Sequence, residues 1–483
     1  MRPQSERLVL GSTESLCPQC LKRIPAKRVA EGDEVYLEKN CAEHGPFRTI
    51  IWRGPPSYES WAEPAGGKRP SPPSRHPTPV DQGCPFDCGL CSEHRQPSCC
   101  VVMEVTKRCD LRCSICFAGA GAGTADPEMR TIESWFQRLL ASNGPCNIQL
   151  SGGEPTLRDD LPEIITLGRS LGFSYFQLNT NGLRLARDPG YLRRLKEAGL
   201  SCVFLQFDGT DDAINQKIRG ATLLEAKTKA IAHCAAVHLG VVLVPTLIPG
   251  VNTGEIGRIL DYALARVPAV RGVHFQPVSY FGRYPEPPRD CDRITIPEVM
   301  NQIERQTGGR IKAAGFRPPA AENPYCSFHA NFILTADGAL KPAANAGQSG
   351  CCGSPAASSE TRPLVQIGSG GGGTAAEASK KAQQYVALRW TLPNATVGGE
   401  PAHSSAAPDS SAMMKIDSLD AFLEQSRKRS FCVSGMAFQD AWNVDLERLR
   451  ECFIHVVGAH QGIVPFCAYN MTNMLGDSLY RGK

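Results

Sequence analysis

Cysteine is concentrated in one short stretch of this chain: eight of its 21 cysteines fall between Cys84 and Cys116. Within that stretch the spacing C-x3-C-x2-C occurs twice, as Cys84, Cys88, Cys91 and as Cys109, Cys113, Cys116. Three thiolates at this spacing hold three irons of a [4Fe–4S] cube and leave the fourth iron open to a non-protein ligand. The repeated spacing predicts a fold built around metal clusters.

The composition is that of a metal protein in a reducing compartment. The chain has 483 residues, 42% of them apolar, and a formal net charge of +4. In a reducing compartment, a cysteine content this high favours metal ligation over disulfide bonds. The alternative is a secreted protein held together by disulfides. The N-terminal sequence MRPQSERLVLGSTES lacks the apolar core of a signal peptide, so a cytoplasmic location is expected. The near-neutral charge argues against nucleic-acid binding, and no apolar run is long enough to span a membrane.

A first metal module is predicted over residues 15–62. Cys17-x2-Cys20 and Cys41-x2-His44 flank a strand-like run, which suits a tetrahedral site for zinc or a rubredoxin-like iron. A closed site of this kind mainly contributes folding free energy. We therefore expect a structural role for it.

Residues 101–342 alternate between predicted strands and helices. The strands are nearly continuous apolar runs, as is typical of parallel strands covered on both faces. This pattern predicts an α/β fold, a partial (β/α)6 TIM-like barrel whose chemistry gathers at the C-terminal ends of the strands. The predicted strands are 101–106, 147–152, 175–181, 202–208, 241–248 and 273–279, and the predicted helices are 130–141, 159–171, 189–199, 222–238 and 254–266.

The segments around this barrel differ in composition. A proline-rich linker at 64–79 and a cysteine-dense auxiliary-cluster segment at 81–100 precede it. Residues 343–415 are rich in Gly, Ala, Ser and Pro and are expected to form a flexible, low-complexity insertion. A cysteine-bearing C-terminal region at 416–483 follows, and we expect it to hold an auxiliary cluster.

Polar residues follow successive strands of the predicted barrel. The second copy of the spacing, beginning at Cys109, comes after the first strand, and Gly152, Gly153 and Glu154 end the second. The two glycines let backbone approach a ligand closely, and a glutamate can pair with an ammonium group. Zinc is the alternative for the cysteine triplet, but it usually takes four ligands in CxxC pairs. These strand ends therefore predict an active site.

Two further clusters are predicted from the remaining cysteines. Cys99 lies close enough in sequence to Cys84, Cys88 and Cys91 to complete a four-thiolate cube with no open iron. The second auxiliary cluster would draw on widely spaced cysteines, for each of which core packing is the alternative. These are Cys326, Cys432, Cys452 and Cys467.

The CxxxCxxC loop, the GGEP sequence and the polar strand ends resemble the radical S-adenosylmethionine superfamily. The resemblance implies that the iron left open by Cys109, Cys113 and Cys116 chelates the amino and carboxylate groups of S-adenosylmethionine. It further implies roles for the other strand-end residues. Gly152, Gly153 and Glu154 would contact the methionyl amino group, Asn181 and Asp208 would face the sugar or carboxylate, and the stretches near Pro249 and Gln276 would face the adenine.

A narrower resemblance covers roughly 17–342 and 416–480. The segments CPQC…CAEHG, CPFDCGLCSEHRQ, EVTKRCDLRCSICFA and VPFCAYN are similar to the group that contains tetraether lipid synthase and enzymes proposed to methylate 7,8-dihydro-6-hydroxymethylpterin. The resemblance implies a 5′-deoxyadenosyl radical, C–C bond formation at an unactivated sp3 carbon, and a reductant such as ferredoxin or flavodoxin. The insertion at 343–415 departs from that group.

The two substrates of that group place opposite demands on the barrel. A lipid chain needs a long apolar channel, with peripheral contact to membrane lipid, whereas a pterin needs a compact pocket with paired amide-type hydrogen bonds. The sequence favours a lipid as the substrate, because the residues near the strand ends are aromatic and include no acid that could anchor a pterin. These residues are Phe176, Phe207, Phe275 and Tyr280. A pterin methyltransferase is the alternative.

Two alternatives of another class stay open at this point. One is a non-catalytic electron carrier with several clusters, against which the GGEP sequence argues. The other is a zinc-module nucleic-acid binder, which the near-neutral charge disfavours.

Overall fold

The computed structural model describes residues 7–63, 78–121, 125–319, 321–343, 374–392, 427–459 and 462–481. Its N-terminal part is a four-stranded antiparallel sheet in the order β1-β2-β3-β4, followed by a short helix. The sheet begins at Arg7, ahead of the predicted boundary at residue 15, because β1 pairs along its whole length with β2. The elements are β1 (Arg7–Leu16), β2 (Arg23–Glu31), β3 (Glu34–Cys41), β4 (Gly45–Arg53) and α1 (Tyr58–Ala62).

A second, larger sheet forms the partial barrel that the sequence predicts. Its strand order is β13-β12-β14-β11-β9-β8-β7-β6-β5-β15-β16, with β10 paired beside β11. All six predicted strands are present and parallel. The strands of the barrel proper are β5 (Cys100–Thr106), β6 (Asn147–Gly152), β7 (Phe176–Thr180), β8 (Cys202–Gln206), β9 (Gly240–Val244), β10 (Thr246–Leu247) and β11 (Val270–Pro277).

Helices cover the outer face of this sheet, and the five predicted ones all form. The apolar residues that alternate along the strands, such as Ile148, Leu178 and Val203, belong to one core with these helices. The opposite face of each strand lines the barrel lumen. The helices are α2 (Met129–Ser142), α3 (Leu161–Ser170), α4 (Leu183–Arg187), α5 (Pro189–Ala198), α6 (Asp212–Arg219), α7 (Leu224–Ala236), α8 (Ile256–Leu264) and α9 (Ile296–Gln306).

The C-terminal region adds strands to both sides of the barrel sheet. β14 lies parallel to β11, and β15 lies parallel to β5, so the chain crosses the open side of the barrel between them. The cysteine-bearing tail is therefore part of the barrel itself. The added elements are β12 (Ser327–Leu334), β13 (Leu340–Pro342), β14 (Ser430–Met436), α11 (Leu446–Arg450), β15 (Ile454–Val457), β16 (Val464–Pro465) and α12 (Phe466–Asn470).

Part of the stretch expected to be flexible is helical. Within 343–415 the helix α10 (Ala375–Trp390) lies at the N-terminal end of the lumen. Trp390 contacts Phe204 with ring centroids 4.6 Å apart, and the Tyr385 hydroxyl donates to Asn331 at 2.6 Å. Packing against inward-facing strand residues orders this segment despite its low-complexity surroundings. Residues 344–373 and 393–426, which include the predicted end of the insertion at 415, lie outside the described residues. Most of the linker at 64–79 does as well.

Among the described helices, none is both long enough and apolar enough to cross a membrane.

Candidate functional site

The loop after β5 brings Cys109, Cys113 and Cys116 together. The three thiols share one small cluster with Leu111 and Leu223. The loop is pinned at both ends by backbone hydrogen bonds. The Cys109 N–H donates to the Gly121 carbonyl at 3.0 Å, and Cys116 exchanges two bonds with Arg283 at 2.9 and 3.0 Å.

The glycines that end β6 are required by a close backbone approach to this loop. A Cβ added at Gly152 would lie 2.2 Å from the Thr106 carbonyl oxygen, and one at Gly153 would lie 2.0 Å from that of Arg108. Gly152 also has a φ of +127°. Any side chain here would push the two strand ends apart, so the glycines hold GGEP directly beside the cysteine loop.

Glu154 is buried and fully engaged by the protein. Its carboxylate accepts from the Thr156 and Thr180 hydroxyls at 2.6 and 2.7 Å, and from the Asn181 backbone N–H at 2.7 Å. The Asn181 side chain in turn donates to Asp110 Oδ1 at 2.7 Å, inside the cysteine loop. The structure thus joins Glu154 and Asn181 to the cysteine loop through hydrogen bonds.

Asp208 lies at the end of β8 and faces an arginine that the sequence analysis did not single out. Its two carboxylate oxygens accept from Arg219 at 2.7 and 2.9 Å, and both side chains are buried. Burial alone would raise the pKa of Asp208, but the Arg219 guanidinium outweighs it and holds that pKa below its usual value. Arg219 also adjoins the Cys113 thiol. Asp208 therefore reaches the cysteine loop through Arg219.

Lys227 on α7 is a further buried cation beneath the site. Its ammonium donates to the Gln206 carbonyl at 2.5 Å and is fully shielded from solvent. Burial lowers the pKa of Lys227 to about 8, against the opposing effect of Asp208. A lysine on the core-facing side of a helix is the sequence signal that could have identified it.

The C-terminal end of the chain contributes a second arginine to the mouth of the barrel. Arg481 makes two hydrogen bonds to Glu104 of β5, at 2.9 and 2.6 Å, and the Tyr469 hydroxyl donates to the same carboxylate at 3.2 Å. Arg481 also lies close enough to Cys116 for the charge of that thiolate to raise the pKa of the guanidinium. Arg283 also lies at the cysteine loop, where its guanidinium donates to the Cys113 and Ala120 carbonyls at 2.9 and 3.1 Å. No motif in the sequence indicates Arg481, which is far from this loop along the chain.

The Cys109 thiol of this loop is protonated unless a metal binds it. Burial raises the pKa of Cys109 to about 12, with Glu154 and Asp110 adding to the shift. A positively charged iron centre would offset that cost, since metal ligation requires the thiolate. The donor set therefore fits an iron–sulfur cluster.

Gln276 lies near the end of β11, half-buried on the lumen side. Its backbone N–H donates to the Pro245 carbonyl at 2.9 Å, which joins it to the turn between β9 and β10.

The first triplet forms a separate group beside the C-terminal tail. The neighbouring Cys84 thiol, together with burial and Cys91, raises the pKa of Cys88 well above its usual value. The Cys88 N–H donates to the Tyr480 hydroxyl at 2.9 Å. Cys99 lies just before β5, and its neighbours are Cys100, Cys146 and Ser379, which is on the helix Ala375–Trp390.

Three of the four distant cysteines converge. Cys326, Cys452 and Cys467 lie close enough for their charges to interact, and Arg448 Nη2 lies 3.5 Å from Cys326 Sγ. Cys432 does not join them. It lies at the base of the lumen beside Tyr385 and Trp390, because it is on the inward face of β14 near that strand's N-terminal end.

The N-terminal module assembles a four-ligand site as predicted. The ligand atoms of Cys17, Cys20, Cys41 and His44 all lie within 4.8 Å of one another. Hydrogen bonds from the Glu43 backbone and from His44 lower the pKa of Cys41 to about 6. Such a set fits one tetrahedral zinc or rubredoxin-like iron.

Two family matches agree with these sites. Residues 9–53 match the family described as the HMPTM N-terminal zinc ribbon domain. Residues 103–263, which carry the CxxxCxxC loop and the barrel strands around it, match the Radical SAM superfamily.

Known proteins resemble the chain to different extents. The 7,8-dihydro-6-hydroxymethylpterin dimethyltransferase of Methanocaldococcus jannaschii is 36% identical over 482 residues, which cover 95% of this chain and 93% of that protein. The GTP 3′,8-cyclase of Erythrobacter litoralis is 28% identical over 51% of this chain and 79% of its own. Among solved structures, methylornithine synthase aligns at 14% identity over 44% of this chain and 63% of its own, with a TM-score of 0.34.

The protein is thus a radical S-adenosylmethionine enzyme. The chain belongs to the family that includes the Methanocaldococcus jannaschii dimethyltransferase, within the radical S-adenosylmethionine superfamily. Its cofactors accordingly include S-adenosylmethionine and [4Fe–4S] clusters, together with the zinc or rubredoxin-like metal of the N-terminal site. The electron-carrier and nucleic-acid-binding alternatives fall with this assignment.

Proposed function

We propose that this enzyme is a radical S-adenosylmethionine methyltransferase that forms a C–C bond on a dihydropterin of the 7,8-dihydro-6-hydroxymethylpterin type. The observation that carries the proposal is the likeness to a protein of that name over 93% of its length. The match also covers 95% of this chain.

The sequence argument for a lipid substrate loses its basis. Phe176, Phe207 and Phe275 are fully buried in the outer core between the sheet and its helices, on the far side from the lumen. The Tyr280 hydroxyl is bound to the Asp292 carbonyl at 2.7 Å. The three phenylalanines therefore offer no wall for a lipid chain in the lumen, and α10 packs against Phe204 at its base.

The residues of the site have distinct roles in the proposed reaction. Cys109, Cys113 and Cys116 would hold the cluster. The GGEP backbone and Asn181 would contact S-adenosylmethionine, and the Glu154 carboxylate, which is bound by Thr156, Thr180 and the Asn181 N–H, would hold these segments in position. When bound, these cofactors supply a 5′-deoxyadenosyl radical, chemistry beyond any side chain. Arg219 would stabilise the negative charge of the ligated thiolates, with Asp208 holding it in place. Gln276 would adjoin the adenine.

We assign the other two thiol groups to auxiliary clusters that exchange electrons with this site. The Phe466 ring lies 5.6 Å from that of Phe117, which follows Cys116, and Cys467 follows Phe466 in sequence. Cys84 and Cys88 lie in the same apolar cluster. A ferredoxin or flavodoxin would supply the first electron.

The test is an anaerobic assay of the fully reconstituted enzyme with dithionite, S-adenosylmethionine and 7,8-dihydro-6-hydroxymethylpterin. Mass spectrometry of the pterin should show added methyl groups together with 5′-deoxyadenosine. Vesicles of archaeal ether lipid, supplied in place of the pterin, test the other substrate of the group. Methyl transfer to neither compound, or coupling of the lipid chains, would overturn the proposal.

A matched pair of variants tests the assignment of the two triplets. Cys109→Ala should abolish 5′-deoxyadenosine formation, because it removes a ligand of the cluster that binds S-adenosylmethionine. Cys84→Ala should retain uncoupled cleavage while losing one cluster's iron. If Cys109→Ala still cleaved S-adenosylmethionine, the assignment would be reversed.

A further inference from the structure

Three carboxamide side chains line one wall of the lumen. Gln149 on β6 is paired in register with Gln177 on β7, and Asn179 follows one step higher on the same strand. The residues that alternate with them are buried in the outer core, so the carboxamides point to the other face of the sheet. Those core residues are Ile148, Leu150, Phe176 and Leu178.

The three carboxamides are linked into a ladder by hydrogen bonds. Gln177 Nε2 donates to Asn179 Oδ1 at 2.8 Å, and Asn179 Nδ2 donates to Gln149 Oε1 at 3.4 Å. Gln177 orients Asn179, and Asn179 orients Gln149. Gln149 and Asn179 are half-buried and keep hydrogen-bonding capacity toward the lumen.

Gln177 adds an independent sign that the ladder is incomplete. The side chain is fully buried, yet its Oε1 accepts no hydrogen bond from any residue that the structure describes. Buried carboxamide oxygens are almost always paired with protein, water or ligand. A polar molecule in the lumen would reach the half-buried members of the ladder, Gln149 and Asn179, because Gln177 has no exposed surface.

Aromatic side chains lie beside the ladder, at the level of Asn179 and toward the N-terminal ends of the strands. Phe204 is the register neighbour of Asn179 on β8, and its ring meets Trp390 of α10. His274 lies 6.2 Å from the same indole and is bound to Ser434 at 2.9 Å. Aromatic rings from β8, β11 and α10, inclined to one another by 61° and 68°, thus adjoin the wall of hydrogen-bonding groups.

We propose that Gln149 and Asn179 recognise the 2-amino-4-oxopyrimidine edge of the pterin ring, and that Gln177 positions them. This inference rests on the proposed function and names the residues that set its specificity. A carboxamide offers one N–H donor next to one C=O acceptor, and the pyrimidine edge alternates donors and acceptors in the same way. An alkyl chain at this position would leave the same groups without partners.

The experiment measures the binding of two fluorescent probes to the reconstituted holoenzyme. The probes are 6-hydroxymethylpterin and 6-hydroxymethyllumazine, whose ring carries an oxygen in place of the 2-amino group. Wild type should bind the pterin roughly tenfold or more tightly, because the lumazine leaves an acceptor of the ladder unpaired. Asn179→Leu and, separately, Gln149→Met should bring that ratio close to one.

Gln306→Met is the matched control. Gln306 lies on α9, outside the lumen, and its carboxamide is bound to Thr253 and Gly257. Gln306→Met makes the same chemical change as Gln149→Met and removes at least as many hydrogen bonds, so it should leave the ratio unchanged. The iron content after reconstitution and the melting temperature of all three variants should match wild type, which shows that they fold and load their cluster.

The outcomes separate the two proposals. If wild type methylates the pterin but Asn179→Leu and Gln149→Met keep the wild-type binding ratio, the recognition role is wrong and the proposed function stands. If wild type neither binds nor methylates the pterin, the proposed function is wrong, and the recognition role that rests on it is wrong as well. Gln177→Met should raise KM for the pterin while changing kcat little, as expected of a positioning residue; an unchanged KM would remove Gln177 from the proposal.

Discussion

The Arg219 guanidinium binds both carboxylate oxygens of Asp208, at 2.7 and 2.9 Å, in a fully buried ion pair that adjoins the Cys113 thiol. Such a bidentate pair fixes the position of the arginine as well as its charge. The pair connects the end of β8 with the cysteine loop after β5, although these segments are far apart in sequence. We expect the charge and the position of Arg219 to matter separately.

Asp208→Asn should destabilise the fold and impair the cluster site. The change leaves Arg219 buried without its counter-charge, which costs about 3–5 kcal/mol for pairs of this kind. Urea unfolding measures that loss, and the iron content after reconstitution reports on the site. Asp261→Asn is the control, because Asp261 pairs with Arg310 at the surface, where ion pairs contribute little. Equal losses in both variants would contradict the role given to the buried pair.

Gly153→Ala should separate GGEP from the cysteine loop. The added Cβ would lie 2.0 Å from the Arg108 carbonyl oxygen, so one of the two backbones must move. Strain of this kind typically costs about 1–3 kcal/mol. We expect a lower melting temperature and weaker S-adenosylmethionine binding in equilibrium dialysis.

The matched glycine for that experiment is Gly315. A Cβ there would meet no atom within 4 Å, so Gly315→Ala should behave as wild type in both measurements. If Gly153→Ala bound S-adenosylmethionine normally, the close approach would have no functional consequence.

Cys41→Ser should remove the N-terminal metal and leave the clusters of the barrel intact. The four ligand atoms converge within 4.8 Å, and loss of one thiolate opens a site that stabilises the module. Metal analysis by mass spectrometry should show one zinc or iron fewer per chain. Cys291→Ser, at an exposed cysteine, should show no loss. Loss of cluster iron in Cys41→Ser would show that the two regions depend on each other.

Lys227→Met should change how stability depends on pH. Burial lowers the pKa of Lys227 to about 8 in the folded chain, against roughly 10.4 when unfolded. Between those values the unfolded chain binds more protons, so this group makes the fold more stable as pH rises. Removing it should abolish a rise of roughly 3 kcal/mol across that window.

The measurement is the difference in unfolding free energy between wild type and Lys227→Met at a series of pH values. Taking the difference cancels the other titrating groups. Lys229→Met is the control, since Lys229 lies on the same helix in an exposed pair with Glu225. A difference that does not change with pH would mean that Lys227 titrates as an ordinary lysine.

Much of the fold follows from local pattern. Parallel strands buried on both faces must be apolar throughout, which is why the six strands of the barrel and five of its helices are predictable. Strands β14 and β15 are not predicted, because their partners, β11 and β5, are far away in sequence. The helix α10 is not predicted for a related reason, because its order comes from the packing of Trp390 and Tyr385 inside the lumen.

The doubled cysteine spacing by itself predicts metal clusters, because adjacent thiolates on one loop need no distant partner to hold metal. Cys17, Cys20, Cys41 and His44 are recognisable in the sequence as two ligand pairs, and the pairing of β1 to β4 brings the two loops together. Only the tertiary structure decides which groups surround each triplet. It places Arg219 and Arg481 beside the second one, sends Cys99 and Cys432 to other neighbours, and turns the carboxamides of β6 and β7 into the lumen. Those relationships depend on strand order and on which face each residue occupies, and both are set by contacts between segments distant in the chain.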